Sequence, residues 1–318
     1  MSPDWPFVQS IVIMILIVPA YDETMNLRDL QYLVALAETR HFSRAAQRCH
    51  VSQPTLSAQL KKLEQFLGVA LIERQPRHVA LTAAGTAVVE RARRMLRDAE
   101  DIRALARASQ DPLGGQLKIG LIPTLAPYLL PRITPRLKRA LPKLQLLLHE
   151  HQTVPLIARV VEGELDLALL ALPADTQGLE TRSLFAEAFL VAMPDRHPLA
   201  TRRRLKPADL AGEKLLLLED GHCLRDQALE VCRKIGAEEQ DFGATSLETL
   251  RQMVAAGLGF TLLPRLSAEG PFAAARGLVV RPFAPPSPSR VIGAAWRRST
   301  TRGAAIAAVC DVISGTAL

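Results

Sequence analysis

Cysteine and aromatic residues are scarce in this sequence: 4 cysteines in 318 residues, and an aromatic share of 4%. So few cysteines exclude a secreted disulfide scaffold. They point to a reducing compartment, where each cysteine is buried, catalytic or redox-sensing. Hydrophobic runs are short. SIVIMILIV, Ser10 to Val18, falls well below the roughly 20 residues a membrane span needs. Only Asp4 is charged ahead of it, so the basic start of a signal peptide is lacking. Residues 1–24 read as an extension foreign to the rest, disordered or a mis-assigned start before Met25; the alternative is an anchor or export signal. The chain has no Gly-rich dinucleotide loop, no phosphate-binding loop, no metal-spaced Cys/His set and no nucleophile elbow. These absences weigh against an ordinary enzyme, and neither a cofactor nor a metal is expected.

The apolar fraction of 48% and charged fraction of 22% are those of a globular protein long enough for two or more domains. Its charge is uneven. Met25 to Ser109 holds 14 Lys/Arg against 8 Asp/Glu, so +6 of the net +7 lies there. A basic first third suits a module that faces nucleic acid, or is simply a solvated basic helix.

Patterning favours the first option. NLRDLQYLVALA, Asn26 to Ala37, alternates at helical spacing. HFSRAAQRCHVSQPTLSAQLKKLEQFLG then reads as two helices with a break at His50-Val51. Ser43 is expected to cap the first, which carries Ala45, Ala46 and Cys49. Ser52 caps the second, with Pro54 in its first turn, where no backbone N–H is needed. Leu56, Leu60, Leu63 and Leu67 form its buried stripe. This is a helix-turn-helix, and Gln53, Thr55, Ser57, Gln59 and Lys62 offer it donors and acceptors for base edges. Glu73 to Thr82 reads as a two-stranded wing with Arg74 and Arg77 placed for phosphates or a minor groove. From Thr82 to about Ser109 a long helix carries the seam Val88, Val89, Ala92, Leu96, Ala99, Ile102 and Leu105, which wants a partner helix. A dimer with two DNA-reading heads follows.

These features, and the string AETRHFSRAAQRCHVSQPTLSAQLKKLEQFLGVALIER, resemble the LysR-type transcriptional regulators from Met25 onward. The resemblance implies a winged helix-turn-helix over 25–82, a linker helix and hinge over 83–114, and a two-lobed regulatory domain over 115–318. The residues agree. After the hinge Asp111-Pro112-Leu113-Gly114-Gly115, QLKIGLIP, LQLLLHE, LDLALLAL, AFLVAMP, EKLLLLED, GFTLLP, LVVRPF and VIGAAW read as strands. Tyr128–Ala140, Thr153–Glu162, His222–Ile235, Ser246–Ala256 and Thr301–Ile313 read as helices, one with a capping box of Thr245 and Glu248. The alternation predicts a mainly parallel α/β domain of two Rossmann-like lobes, periplasmic-binding-protein-like, with a ligand cleft between them.

Two of the cysteines share one predicted helix in GHCLRDQALEVCRKIG, with Asp220 as its expected N-cap. Cys223 and Cys232 are nine residues apart, about 13 Å on an intact helix, while a disulfide tolerates about 7 Å. They are either small buried hydrophobes or a redox pair that must unwind the helix to close. At the helix start the backbone N–H groups favour a thiolate at Cys223. His222 and Arg225 are neighbours able to stabilise it, and Asp226 can orient Arg225 or relay a proton. Cys49 and Cys310 read as packing residues, and Thr124 and Thr153 as helix caps or ligand donors. His149 and His151 flank Glu150 in only a faint likeness to a metal site.

LAGEKLLLLEDGHCLRDQALEVC, GLIPTLAPYLLP and ATSLETLRQMVAAGLGFTLLP resemble the peroxide-sensing members of the family. That implies Cys223 as the peroxidatic cysteine and Cys232 as the resolving one. Thr124, Thr153, Gly221 and His222 would hold the peroxide, Asp226 would help protonate the leaving hydroxyl, and Arg297 would lie nearby. It also implies promoter DNA, a homodimer or homotetramer, RNA polymerase and a thiol reductant as partners, in the cytoplasm and without a membrane. The competing readings are a metabolite-responsive regulator with incidental cysteines and a thiol peroxidase. The helix-turn-helix argues against the second.

Overall fold

The computed structural model describes residues 25–75, 78–108, 111–233, 236–269 and 276–316. The chain divides into two compact units, one ending at Glu100 and one beginning at Asp101. SIVIMILIV lies outside the described residues, and no described helix is long and apolar enough to cross a membrane.

In the first unit, α1 (Leu27–Thr39) is started by Asn26. Its Oδ1 accepts from the N–H of Arg28 and of Asp29, while Asp29 accepts in return from the Asn26 N–H. The tight packing of α2 (Phe42–Arg48) follows from Ala45 and Ala46, both buried. The cap position of α2 is His41 rather than Ser43, which lies inside the helix and makes no cap bond. The chain reverses at His50, whose φ of 55° is left-handed. Ser52 then caps α3 (Gln53–Leu67), its Oγ accepting from the Thr55 N–H at 3.3 Å. Leu56, Leu60 and Leu63 are buried, and Leu67 is half-buried. The wing is an antiparallel hairpin of β1 (Ile72–Gln75) and β2 (His78–Leu81). Helix α4 (Ala83–Ala108) begins where the Thr82 hydroxyl accepts from Gly85 N–H at 2.9 Å.

The second unit contains both lobes. One lobe holds β3 (Gly115–Leu121), α5 (Ala126–Ala140), β4 (Leu144–Glu150), α6 (Thr153–Val161) and β5 (Leu167–Leu172). Its strands β4, β3 and β5 are parallel neighbours. The 15-residue strand β6 (Glu180–Pro194) then runs from one lobe into the other. There follow β7 (Lys214–Leu218), α7 (Cys223–Arg233), β8 (Glu238–Ala244), α8 (Leu247–Ala255), β9 (Thr261–Pro264) and α9 (Arg265–Ala268). The chain ends with β10 (Leu278–Pro282), β11 (Ser289–Trp296) and α10 (Gly303–Ser314). The first half of β6 pairs with β11, and its second half pairs with β9 and β10.

The sheet is mixed rather than mainly parallel, because β6 and β11 cross between the lobes in opposite directions and pair antiparallel. All eight expected strands are present. Strand β8 and the first half of β6 are additional. The expected capping box at α8 is replaced by a simpler cap, Ser246 Oγ accepting from Thr249 N–H at 3.2 Å. Helix α7 is described to Arg233; Lys234 and Ile235 lie outside the described residues.

Candidate functional site

The site is built where β7 runs into α7. Leu215 to Leu218 are buried, which fixes the strand end from which the loop departs. Gly221 has φ of +93°, a left-handed conformation that favours glycine. The helix starts when Arg225 N–H donates to the His222 carbonyl at 2.9 Å. Cys223 is thus the first residue of α7. Asp220 does not cap the helix; its carboxylate meets Arg225 Nε at 2.9 Å.

Arg225 is turned to the loop and to β8. Its guanidinium donates to the Leu218 carbonyl at 3.1 Å and pairs with Glu239 at 2.6 Å. Two carboxylates therefore neutralise it, and it braces the loop. Asp226 is exposed one turn after Cys223, on the same helix face. Cys223 is half-buried at the helix N-terminus, where the backbone dipole favours an anion. At the other end of the helix, Cys232 is 1% exposed, and burial pushes its thiol up to about 12.

A cleft of about 550 Å³ opens between the lobes, lined by Thr124, Tyr128, Glu150, Gln152, His222 and Glu248 among others. His222 is buried, which pulls its imidazole below its usual range despite Glu219 and Glu150, so the ring is neutral at pH 7. Gln152 reaches from α6 to the facing lobe: a Cβ on Gly221 would come within 2.6 Å of Gln152 Oε1. Thr153, the first residue of α6, has a buried hydroxyl without a hydrogen-bond partner. Thr124 is buried after β3, and Arg290 donates to its hydroxyl at 3.0 Å and to its carbonyl at 3.2 Å.

Arg290 and Glu187, which hold Thr124 in place, were not legible in the sequence pattern. The Glu187 carboxylate accepts from Arg290 at 2.8 Å and from Leu266 N–H at 2.7 Å, with both side chains buried. Their signal was a charge directly ahead of each of two apolar runs, Glu187 before AFLVAMP and Arg290 before VIGAAW. Arg297, expected near the site, instead donates to the carbonyls of Val160 and Leu165 at the end of α6. The rings of His149 and His151 stack at 6.3 Å, but among the described residues no group of three or more side chains suits a metal ion. Cys310 is buried, as expected of a packing residue, and Cys49 is half-buried at the end of α2.

In the first unit Ser52, Gln53, Pro54, Thr55 and Lys62 are exposed, and Ser57 and Gln59 half-exposed. Ser52 and Thr55 share their hydroxyls at 2.7 Å, so both serve the cap as well as the surface. Arg74 stands opposite Val79 in the wing; Arg77 lies outside the described residues.

Comparisons with known proteins agree with this architecture. Residues 27–86 match the bacterial regulatory helix-turn-helix protein, lysR family, and residues 110–317 match the LysR substrate binding domain. The chain is 52% identical over 274 residues to the DNA-binding transcriptional dual regulator OxyR of Escherichia coli K12, covering 86% of this chain and 90% of that protein. A full-length OxyR cysteine variant from Pseudomonas aeruginosa superposes with a TM-score of 0.70 at 41% identity, over 92% of this chain and 96% of that one. An H2O2-bound OxyR cysteine variant from Corynebacterium glutamicum has a TM-score of 0.63 at 36% identity, over 92% of each chain. The chain belongs to the LysR family of DNA-binding transcription regulators, within its OxyR group.

Proposed function

We propose that this regulator senses hydrogen peroxide through a Cys223–Cys232 thiol-disulfide switch and activates oxidative-stress defence genes. The observation that carries the reading is the placement of both thiols on one unbroken helix: one half-buried at its N-terminus, the other buried near its C-terminus. The Cys223 thiolate attacks one peroxide oxygen, the O–O bond breaks, and the leaving hydroxide takes a proton with help from Asp226. The sulfenic acid then condenses with the Cys232 thiol, forming the disulfide and a second water. Thr124, Thr153, Gly221 and His222 hold the peroxide. The unpartnered Thr153 hydroxyl and the neutral His222 ring support that role. Arg225 positions the loop that carries Gly221 and His222.

Nine residues of helix hold the Cα atoms about 13 Å apart, so closing the bond unwinds α7 and traps a second local fold. The working form is a homodimer or homotetramer on promoter DNA, in contact with RNA polymerase in the cytoplasm and reset by a two-electron thiol reductant. Ser52, Gln53, Pro54, Thr55, Ser57, Gln59 and Lys62 face the major groove, and Arg74 and Arg77 the backbone or minor groove. The functional division is 25–82 for the head, 83–114 for the linker and 115–318 for sensing.

Intact mass with thiol mapping, before and after one equivalent of hydrogen peroxide, tests this. Loss of two hydrogens mapped to Cys223 and Cys232, absent in Cys223→Ser, is the expected result. Both thiols remaining free would overturn it.

A further inference from the structure

The regulatory unit carries a basic patch that neither the fold nor the sensing site uses. Residues 110–318 hold 25 Lys/Arg against 21 Asp/Glu, a net of +4. The twelve residues from Asp195 to Lys206 alone hold five cations and one acid, a net of +4. The whole net charge of this part of the chain is thus gathered in one surface segment after β6. Arg196, Arg202, Arg203, Arg204 and Lys206 are all exposed.

The main chain beneath them is firmly held without the side chains of Arg203 and Arg204. Leu205 is fully buried, its N–H donating to Pro282 and its carbonyl accepting from Ala284 at 2.8 Å. On the approach to the arginines, the Ala200 carbonyl accepts twice from Arg281 at 2.8 and 3.1 Å. Asp209 takes up Arg202 at 2.7 Å and the Lys206 N–H at 2.7 Å. Arg203 and Arg204 have no ion pair among the described residues. Adjacent like charges repel, so a rigid loop presenting them in a row stabilises nothing in the folded chain.

We propose that Arg203 and Arg204, with Arg196 and Lys206, form a second contact to the DNA phosphate backbone outside the sequence read by the helix-turn-helix. This rests on the chain binding promoter DNA through its head. Guanidinium groups match phosphate oxygens with paired N–H donors. The patch lies on a surface loop with two short turns, Pro198–Thr201 and Pro207–Leu210, and no α-helix or strand to enter a groove, so it meets backbone phosphates rather than base edges. Once the heads are bound, flanking duplex is tethered at high effective concentration, and exposed contacts too weak to bind alone then add to affinity. They would extend the bound DNA length without altering the recognised sequence.

The test uses the full chain and a duplex selected by it from a random-sequence pool. One version of the duplex has long flanks and the other is trimmed to the selected sequence. Affinities are measured against salt for the unmodified chain and for Arg203→Gln with Arg204→Gln. On the flanked duplex the double variant is expected to lower the slope of log K against log salt by about 1.8, two phosphates at about 0.9 each. Its deficit then shrinks about twelvefold as salt rises fourfold. On the trimmed duplex the two proteins are expected to bind alike. Equal slopes on the flanked duplex overturn the proposal and leave an acidic protein surface as the partner to seek. An equal deficit on both duplexes also overturns it, because the arginines then act within the selected sequence. If the unmodified chain selects no duplex, the DNA-binding reading fails together with the proposal.

Discussion

A single guanidinium, Arg290, holds Thr124 by both its hydroxyl and its carbonyl while pairing with Glu187, and all three side chains are buried. Thr124 lines the cleft from the first lobe, whereas Glu187 also caps the N–H of Leu266 in the second. Removing Arg290 alone strands a buried carboxylate. Arg290→Met should cost about 3–5 kcal/mol, while Arg290→Met with Glu187→Leu should recover much of that loss. Denaturant unfolding checks both. The double variant should still oxidise more slowly, because Thr124 is then unrestrained.

That pair also shows where sequence reading stops. LDLALLAL and EKLLLLED are legible because strands buried on both faces read as continuous apolar runs. Strand β8 is not, since Glu238, Glu239 and Gln240 lie on an edge paired only to β7. The first half of β6 is hidden because its partner β11 is about a hundred residues away and Glu187 makes it look like surface. Likewise Asp220 has the residue type of an N-cap, but Arg225 takes its carboxylate. The thiols, the helix and the helix-turn-helix are local in sequence and could be read. The buried ion pair that fixes Thr124 is a tertiary fact.

Gly221 and Gln152 meet across the cleft, so their substitutions should couple. Gly221→Ala imposes a Cβ at a φ of +93° and drives it against Gln152 Oε1. The backbone strain alone costs about 1–3 kcal/mol. In a Gln152→Ala background the collision is gone and only the strain remains. A double-mutant cycle by urea unfolding should give a coupling above about 0.5 kcal/mol. Simple additivity would mean that the flexible Gln152 side chain swings clear of the new Cβ at no cost.

His151 and His222 are both held below the usual imidazole range, chiefly by burial, with Arg159 and His149 adding to the effect at His151. The unfolded chain therefore takes up these protons first as pH falls. Stability is full above about 6.5 and declines below it as the rings of the unfolded chain take up protons. Urea midpoints between pH 7.5 and 5 should fall, and His151→Gln should flatten the curve.

At alkaline pH the buried thiols act in the opposite sense. Burial raises Cys232 to about 12 and Cys310 to about 11, from an ordinary value of 9.0. Above pH 9 the unfolded chain loses these protons while the folded chain keeps them. Stability should drop by about 1.4 kcal/mol per pH unit for each thiol until the folded groups ionise. Cys310→Ala should remove half of that thiol-dependent slope between pH 9 and 11, whatever it does to the midpoint at neutral pH.

The seam of α4 makes the last prediction. Val89 and Ala92 are buried within the first unit, but Ile102 is 67% exposed and Leu105 53% exposed. Two copies meeting along this stripe would cover four large side chains, each contributing about 1.5–3 kcal/mol. Because each is already partly covered, Ile102→Glu with Leu105→Glu should weaken the dimer by at least about two decades. Sedimentation should then show monomers at concentrations where the unmodified chain is associated. Because each monomer carries one head, the variant should keep single half-site contacts and lose tight binding to paired half-sites. A variant that stays dimeric would place the interface elsewhere on the chain.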